Sequence, residues 1–147
     1  MTTPQSSLLS SAPPVPADSA GHVSSGVADG LAVVEFGHPK SNSLPATVLR
    51  DLAAAITAAG EQSDVRVIVL RSTGEGTFCA GASFDELAAI SDAAGGREFF
   101  MGFARVILAM TRCPKPIVTR VHGKVVGGGV GIVAASDYVM AVETASI

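Results

Sequence analysis

Two stretches, FCAGASFDEL at 78–87 and VVGGGVGIVAASD at 125–137, hold the residue types that could act on a substrate through the backbone alone. The second places Gly127, Gly128, Gly129 and Gly131 just ahead of an apolar run. A glycine inside a helix costs roughly 0.5–1 kcal/mol relative to alanine, so their accumulation asks what must come close to the main chain. Both stretches read as loops passing into helices. At a helix start the first N–H groups lack intrahelical acceptors, and the macrodipole favours negative charge. If N–H groups from Gly81-Ala82 and from Gly127-Gly128-Gly129 converge, they form an oxyanion hole. Missing Cβ atoms would let a carbonyl oxygen and its bearer approach.

Three rival readings apply to the glycines. Gly129-Val-Gly131-Ile-Val-Ala134 matches the dinucleotide fingerprint G-x-G-x-x-A. The strand PIVTRV ends too early for it, however, and no acidic residue about 20 positions on is available. A phosphate-binding P-loop fails because Lys124 precedes the glycines and no GK[ST] follows. Close helix-on-sheet packing accounts for the second stretch but leaves the first unexplained. Cys79 and Cys113 lack paired or metal-ligand spacing, and no two of His22, His38 and His122 stand at i, i+4, so no metal is expected. Asp85 and Glu86 read as helix-start charges complementing the dipole rather than as a general base.

Elements that would position these stretches follow from pattern. HVSSGVADGLAVVEF predicts a hairpin turning at Asp29-Gly30. LPATVLRDLAAAITAAG places Val48, Leu49, Leu52 and Ile56 on one helical face, with Ser43 as cap, Pro45 in the first turn and Gly60 as stop. VRVIVLR, 65–71, has the β-branched texture of a buried strand, and STGEGTFCAGA reads as a glycine-bearing loop. Ser83-Phe84-Asp85-Glu86 fits a capping box opening a short helix to Ile90, which DAAGG, 92–96, should end. REFFMGFARVILAMTRC carries Phe99, Phe103, Val106, Ile107 and Met110 at helical spacing before Pro114 and Pro116. PIVTRV and DYVMAVE complete an α/β pattern of alternating strands and helices.

The chain has 147 residues, 48% hydrophobic and 16% charged, which suits one domain with a real core. Residues 1–20 are rich in Ser, Pro and Ala and should form a disordered tail ahead of a 21–147 core. Net charge is −3 and the basic residues are scattered, so nucleic acid is not an expected partner. Apolar runs fall short of the 18 or so residues of a membrane span, and the N-terminus lacks a signal-peptide pattern, giving a cytoplasmic expectation.

Motifs in order along residues 22–147 resemble the enoyl-CoA hydratase/isomerase (crotonase) superfamily. FCAGASFDEL is similar to its "FCAGAD-hydrophobic" segment, and KPIVTRVHGKVVGGG, 115–129, to "KPxxAxVxGxxxGGG". HPKSNSL, 38–44, is similar to "RPxxxNAL", and Ala135-Ser136-Asp137 to the family's "A-x-D". The resemblance implies a spiral of ββα repeats that continues past Ile147, assembling as a homotrimer or hexamer. It implies that Ala82 and Gly128 are the two N–H donors for a thioester carbonyl oxygen. Lys40, Ser43, Ala80, Ser83, Phe84 and Gly127 would lie along an acyl-CoA, with no cofactor beyond the coenzyme A of the substrate.

Two positions depart from the pattern. Hydratases of the usual type carry a catalytic Glu where this chain has Gly131, and Ser83 replaces the commoner Asp. The resemblance therefore implies an enoyl-CoA hydratase or isomerase variant whose acid/base group lies beyond Ile147, the chain alone being inactive. The alternative is a non-catalytic acyl-CoA-binding or assembly subunit.

Overall fold

A computed structural model describes residues 20–147; the expected tail lies, but for Ala20, outside the described residues. The first two strands, β1 (His22–Ala28) and β2 (Leu31–Gly37), pair antiparallel. Asp29 and Gly30 both take positive φ between them, as a two-residue hairpin turn requires. From β2 onward the chain repeats a plan of long strand, short strand and helix. The long strands are β2, β4 (Val67–Ser72), β7 (Ile117–Val121) and β9 (Tyr138–Ala141). They run parallel in one five-stranded sheet ordered β1-β2-β4-β7-β9.

The short strands form a second layer of pairs. β3 (Ser43–Leu44) pairs with β6 (Gly81–Ala82), and β5 (Thr77–Cys79) with β8 (Lys124–Val125), both parallel. Each pair joins one turn of the chain to the next, which makes the architecture a spiral. The glycine-bearing loop expected over 72–82 is thus partly β-structure. Its strands are too short for hydrophobic periodicity to reveal, and their partners are distant in sequence.

Among the described residues four helices, α1 (Ala46–Glu61), α2 (Phe84–Ala89), α3 (Ala93–Arg112) and α4 (Gly128–Ala134), complete the architecture. Val48, Leu49, Leu52 and Ile56 of α1 are buried as their spacing predicts. They share a core with Val34, Phe36, Ile68, Leu70 and Ile117 on one face of the sheet. Burial alternates along β4, so only one face of this strand is covered, not both. α3 packs on α1 through Gly102, where an added Cβ would meet Leu49 Cδ1 at 2.8 Å.

Two expected helix ends differ. Ser43 does not cap α1, because its backbone is committed to pairing with Gly81; Pro45 takes the N-cap position and offers no side-chain cap. The missing acceptor comes from another element, as Glu86 Oε2 accepts from Ala46 N at 2.8 Å. DAAGG opens a helix as well as following one: Asp92 caps α3, accepting from Gly95 N at 2.7 Å. An Asp with free N–H groups ahead of it is as good a start signal as its glycines are a stop. Among the described residues no helix is long and apolar enough to cross a membrane.

Candidate functional site

Both glycine-bearing junctions lie at the ends of strands of the second layer, and they meet. Gly81 has φ +90° and Gly127 φ +57°, conformations that L side chains rarely adopt. Val126 N donates to Cys79 O at 2.9 Å, which draws the two chain segments together. A Cβ on Gly81 would sit 3.3 Å from Val126 O, 3.6 Å from Gly127 Cα and 3.7 Å from Gly128 N. The first partner of these glycines is therefore the other junction's backbone.

α4 needs its remaining glycines for packing. A Cβ on Gly129 would lie 2.7 Å from Cys79 Cβ, one on Gly128 2.5 Å from the Phe103 ring, and one on Gly131 2.9 Å from Ile107 Cδ1. Close packing, one of the rival readings, thus explains part of the glycine content, while Gly127 with its positive φ is required by the turn itself. Gly128 opens α4 and so presents an N–H with no intrahelical acceptor. α4 is held at its other end by Asp137, whose Oδ2 accepts from Ile117 N at 2.7 Å. Ser136 bonds the buried Thr119 hydroxyl at 2.6 Å.

The other junction is fixed by its pairing with the 38–44 loop. Ala80 N donates to Asn42 O and Ser83 N to Leu44 O, each at 3.2 Å, on either side of Gly81-Ala82. This pairing brings Ser43 and the loop bearing Lys40 beside Ala82. Ser43 is buried, with Oγ 3.5 Å from His38 Nδ1. Ser83 is buried and caps α2 by accepting from Glu86 N at 3.4 Å. The reciprocal half of the capping box is not made, since Glu86 turns to Ala46. Lys40 is exposed and ion-paired with Asp85. Phe84 points outward, 76% exposed.

Electrostatics separate these groups. The Lys40 ammonium hydrogen-bonded to Asp85 holds that carboxyl below its usual range. Burial and then the Lys40 charge hold His38 below its ordinary value. Burial pushes the Cys79 thiol up to about 11, so at neutral pH it is a packing group against Gly129 rather than a nucleophile. The expected Ala80, Ala82, Ser83, Gly127 and Gly128 are brought to one place with Lys40 and Ser43 nearby. Sequence reasoning passed over Asn42, buried in the same loop, and the trans-capping role of Glu86. The polar run HPKSNS was the available signal, but a polar loop is ordinarily solvated.

Known proteins resemble this chain in sequence and fold. Residues 26–147 match the family model described as enoyl-CoA hydratase/isomerase. Over 117 residues the chain is 35% identical to (7aS)-7a-methyl-1,5-dioxo-2,3,5,6,7,7a-hexahydro-1H-indene-carboxyl-CoA hydrolase of Mycobacterium tuberculosis, covering 80% of this chain and 47% of that protein. It is 32% identical over 106 residues to human mitochondrial methylglutaconyl-CoA hydratase, covering 72% and 31% respectively. The crystal structure of enoyl-CoA hydratase from Bacillus anthracis matches with a TM-score of 0.78 at 26% identity, over 84% of this chain and 48% of that one. The chain spans less than half the length of these proteins. Its fold is the crotonase fold, and the chain belongs to the enoyl-CoA hydratase/isomerase family.

Proposed function

We propose that this chain is the thioester-holding part of an enzyme that acts on an acyl-CoA by stabilising its enolate between Ala82 N–H and Gly128 N–H. One observation carries the reading: two chain segments far apart in sequence meet backbone to backbone at Gly81 and Gly127-Gly128, with no side chain between them. Chemistry next to a thioester passes through an enolate-like oxygen anion, and fixed donors aimed at it act where charge develops. One such donor is worth about 10²–10³ in rate. Lys40, Ser43, Ala80, Ser83, Phe84 and Gly127 flank the acyl-CoA in this proposal. The printed names of the relatives, a carboxyl-CoA hydrolase and a methylglutaconyl-CoA hydratase, agree on a CoA thioester and differ in the reaction.

General acid/base work needs a titratable group within about 2.6–3.2 Å of the proton it moves, or one water away. Gly131 supplies none, and Asp85 is engaged with Lys40. We therefore assign the proton transfers of a hydratase or isomerase to a carboxylate outside these 147 residues. Assembly as a homotrimer or hexamer in the cytoplasm, with no cofactor beyond the CoA of the substrate, completes the proposal. A second reading, a non-catalytic acyl-CoA-binding subunit, is favoured by Ile107 occupying the space beside Gly131.

Calorimetric titration with crotonyl-CoA, acetoacetyl-CoA and NAD tests the ligand class. Saturable binding is expected for the thioesters only; binding of NAD without the thioesters overturns the reading. Ala82→Pro and Gly128→Pro each remove one N–H. If folded variants stabilise bound enolate as well as the parent, these are not the donors. The 147-residue chain should not hydrate crotonyl-CoA, and robust hydration by it would place the base within it.

A further inference from the structure

Asn42 is 4% exposed, in a loop that hydrophobic patterning leaves blank. Its backbone is left-handed, with φ +54° following Ser41 at +53°. Asparagine enters that region more readily than most residues. Every polar group it owns is used. Its N–H donates to His38 O at 3.0 Å, and Oδ1 accepts from His38 N at 2.9 Å. The Nδ2 hydrogens go to Thr73 O and Thr77 O, both at 2.8 Å, while its carbonyl accepts from Ala80 N at 3.2 Å.

These bonds tie together the loop bearing Lys40 and Ser43, the turn after β4, and the segment Thr77–Ala82. A backbone group has one donor, whereas the Asn amide offers two donors and an acceptor in one plane. A fully satisfied buried amide rigidifies what it joins, and a functional constellation must hold within about 0.5 Å to work. We infer that Asn42 is the positioning residue of the thioester site, holding Ala82 N–H in register with Gly128 N–H. The inference rests on the reading of Ala82 and Gly128 as donors. Asn42 acts through Ala80 and β6, without touching substrate.

Two substitutions keep the left-handed backbone. Asn42→Asp retains the Oδ1 acceptor but sets a carboxylate against two carbonyl oxygens, and Asn42→Gly removes the side chain. The probe is acetoacetyl-CoA, a β-keto thioester whose enolate has its own ultraviolet band. At saturation, the bound enolate-to-keto ratio should fall about tenfold or more in both variants, the scale of a displaced donor. Affinity for CoA itself should change by less than about fivefold, because Asp85 still holds Lys40 and the CoA portion does not meet the two donors. Ile56→Val, a core truncation beneath α1, should lower the melting midpoint and leave the ratio unchanged. A parent chain without excess bound enolate removes the two-donor reading and this inference with it. A parent with excess enolate that both folded variants retain overturns the role of Asn42 alone. If neither variant folds, the Asn42 Nδ2 proton resonances of the parent decide: they should shift on adding acetoacetyl-CoA and not on adding CoA, and an absent shift overturns the inference.

Discussion

Replacing Gly128 by alanine adds one methyl group, and the fold defines what it meets. Ideal geometry puts the new Cβ 2.5 Å from Phe103 Cδ1 and 2.6 Å from Cε1 and Cγ. Contacts below 3.0 Å are essentially never seen for real Cβ atoms, and here the obstacle is the face of a ring, which cannot bend away like the tip of an aliphatic chain. Phe103 is half-buried on α3, so relief requires the ring to swing or α3 and α4 to separate. Overpacking of this kind costs about 1–3 kcal/mol. Alanine recovers up to about 1 kcal/mol of helix propensity at a helical position. The net is a destabilisation of about 1–2 kcal/mol, or ~4–8 °C in melting midpoint for a domain of this size. Urea denaturation followed by circular dichroism measures it. The same substitution in a Phe103→Ala background should cost nothing or stabilise slightly, giving a coupling of about 1–2 kcal/mol in a double-mutant cycle. Since alanine keeps its N–H, enolate stabilisation in Gly128→Ala should survive where Gly128→Pro loses it. A Gly128→Ala chain as stable as the parent, or additive costs in the cycle, would refute the packing of α4 on α3 described above.

The remaining predictions concern other joints of the structure. Gly123→Ala sets a Cβ 1.7 Å from Gly76 O, a backbone atom that cannot give way, and should cost more than about 3 kcal/mol. A soluble variant with the parent's melting midpoint would disprove the approach of β8 to β5. Ser83→Ala should lose about 1 kcal/mol with the α2 cap and Ser83→Asp should restore it, since both Ser and Asp accept from the N3 amide; equal midpoints for all three would show the cap to be idle. His122 packs edge-on to Phe78, and burial followed by the Arg120 charge holds its pKa below 6.5, with Glu75 opposing. The unfolded chain therefore takes up the proton first, so stability is full above about pH 6.5 and is lost as pH falls from there through the folded value. His38 is shifted in the same direction. In urea midpoints across this window, His122→Phe should flatten part of the slope and leave the contribution of His38; an unchanged slope would exclude His122 as a source.

Local chemistry made much of this protein readable. The apolar face of α1, the Asp29-Gly30 turn, the Ser83 cap and the parallel-strand texture of β4 and β7 are set by residues within a turn or two of each other. Hydrophobic periodicity and backbone preference act over that range. The motifs likewise pointed to a family through short runs of residues. What sequence alone could not reach depends on partners 24 to 50 positions apart. Ser43 reads as a helix cap until Gly81 claims its backbone, and Glu86 reads as half of a capping box until Ala46 offers an unpaired N–H. Asn42 stands in the sequence without a role until its amide donates to Thr73 O and Thr77 O. Gly128, Gly129 and Gly131 could be counted but not assigned, because the atoms that exclude a Cβ belong to Phe103, Cys79 and Ile107 on other elements. Where the resemblance implies a carboxylate the sequence has Gly131; that Ile107 fills the space beside it is decided only by the packing of α3 against α4.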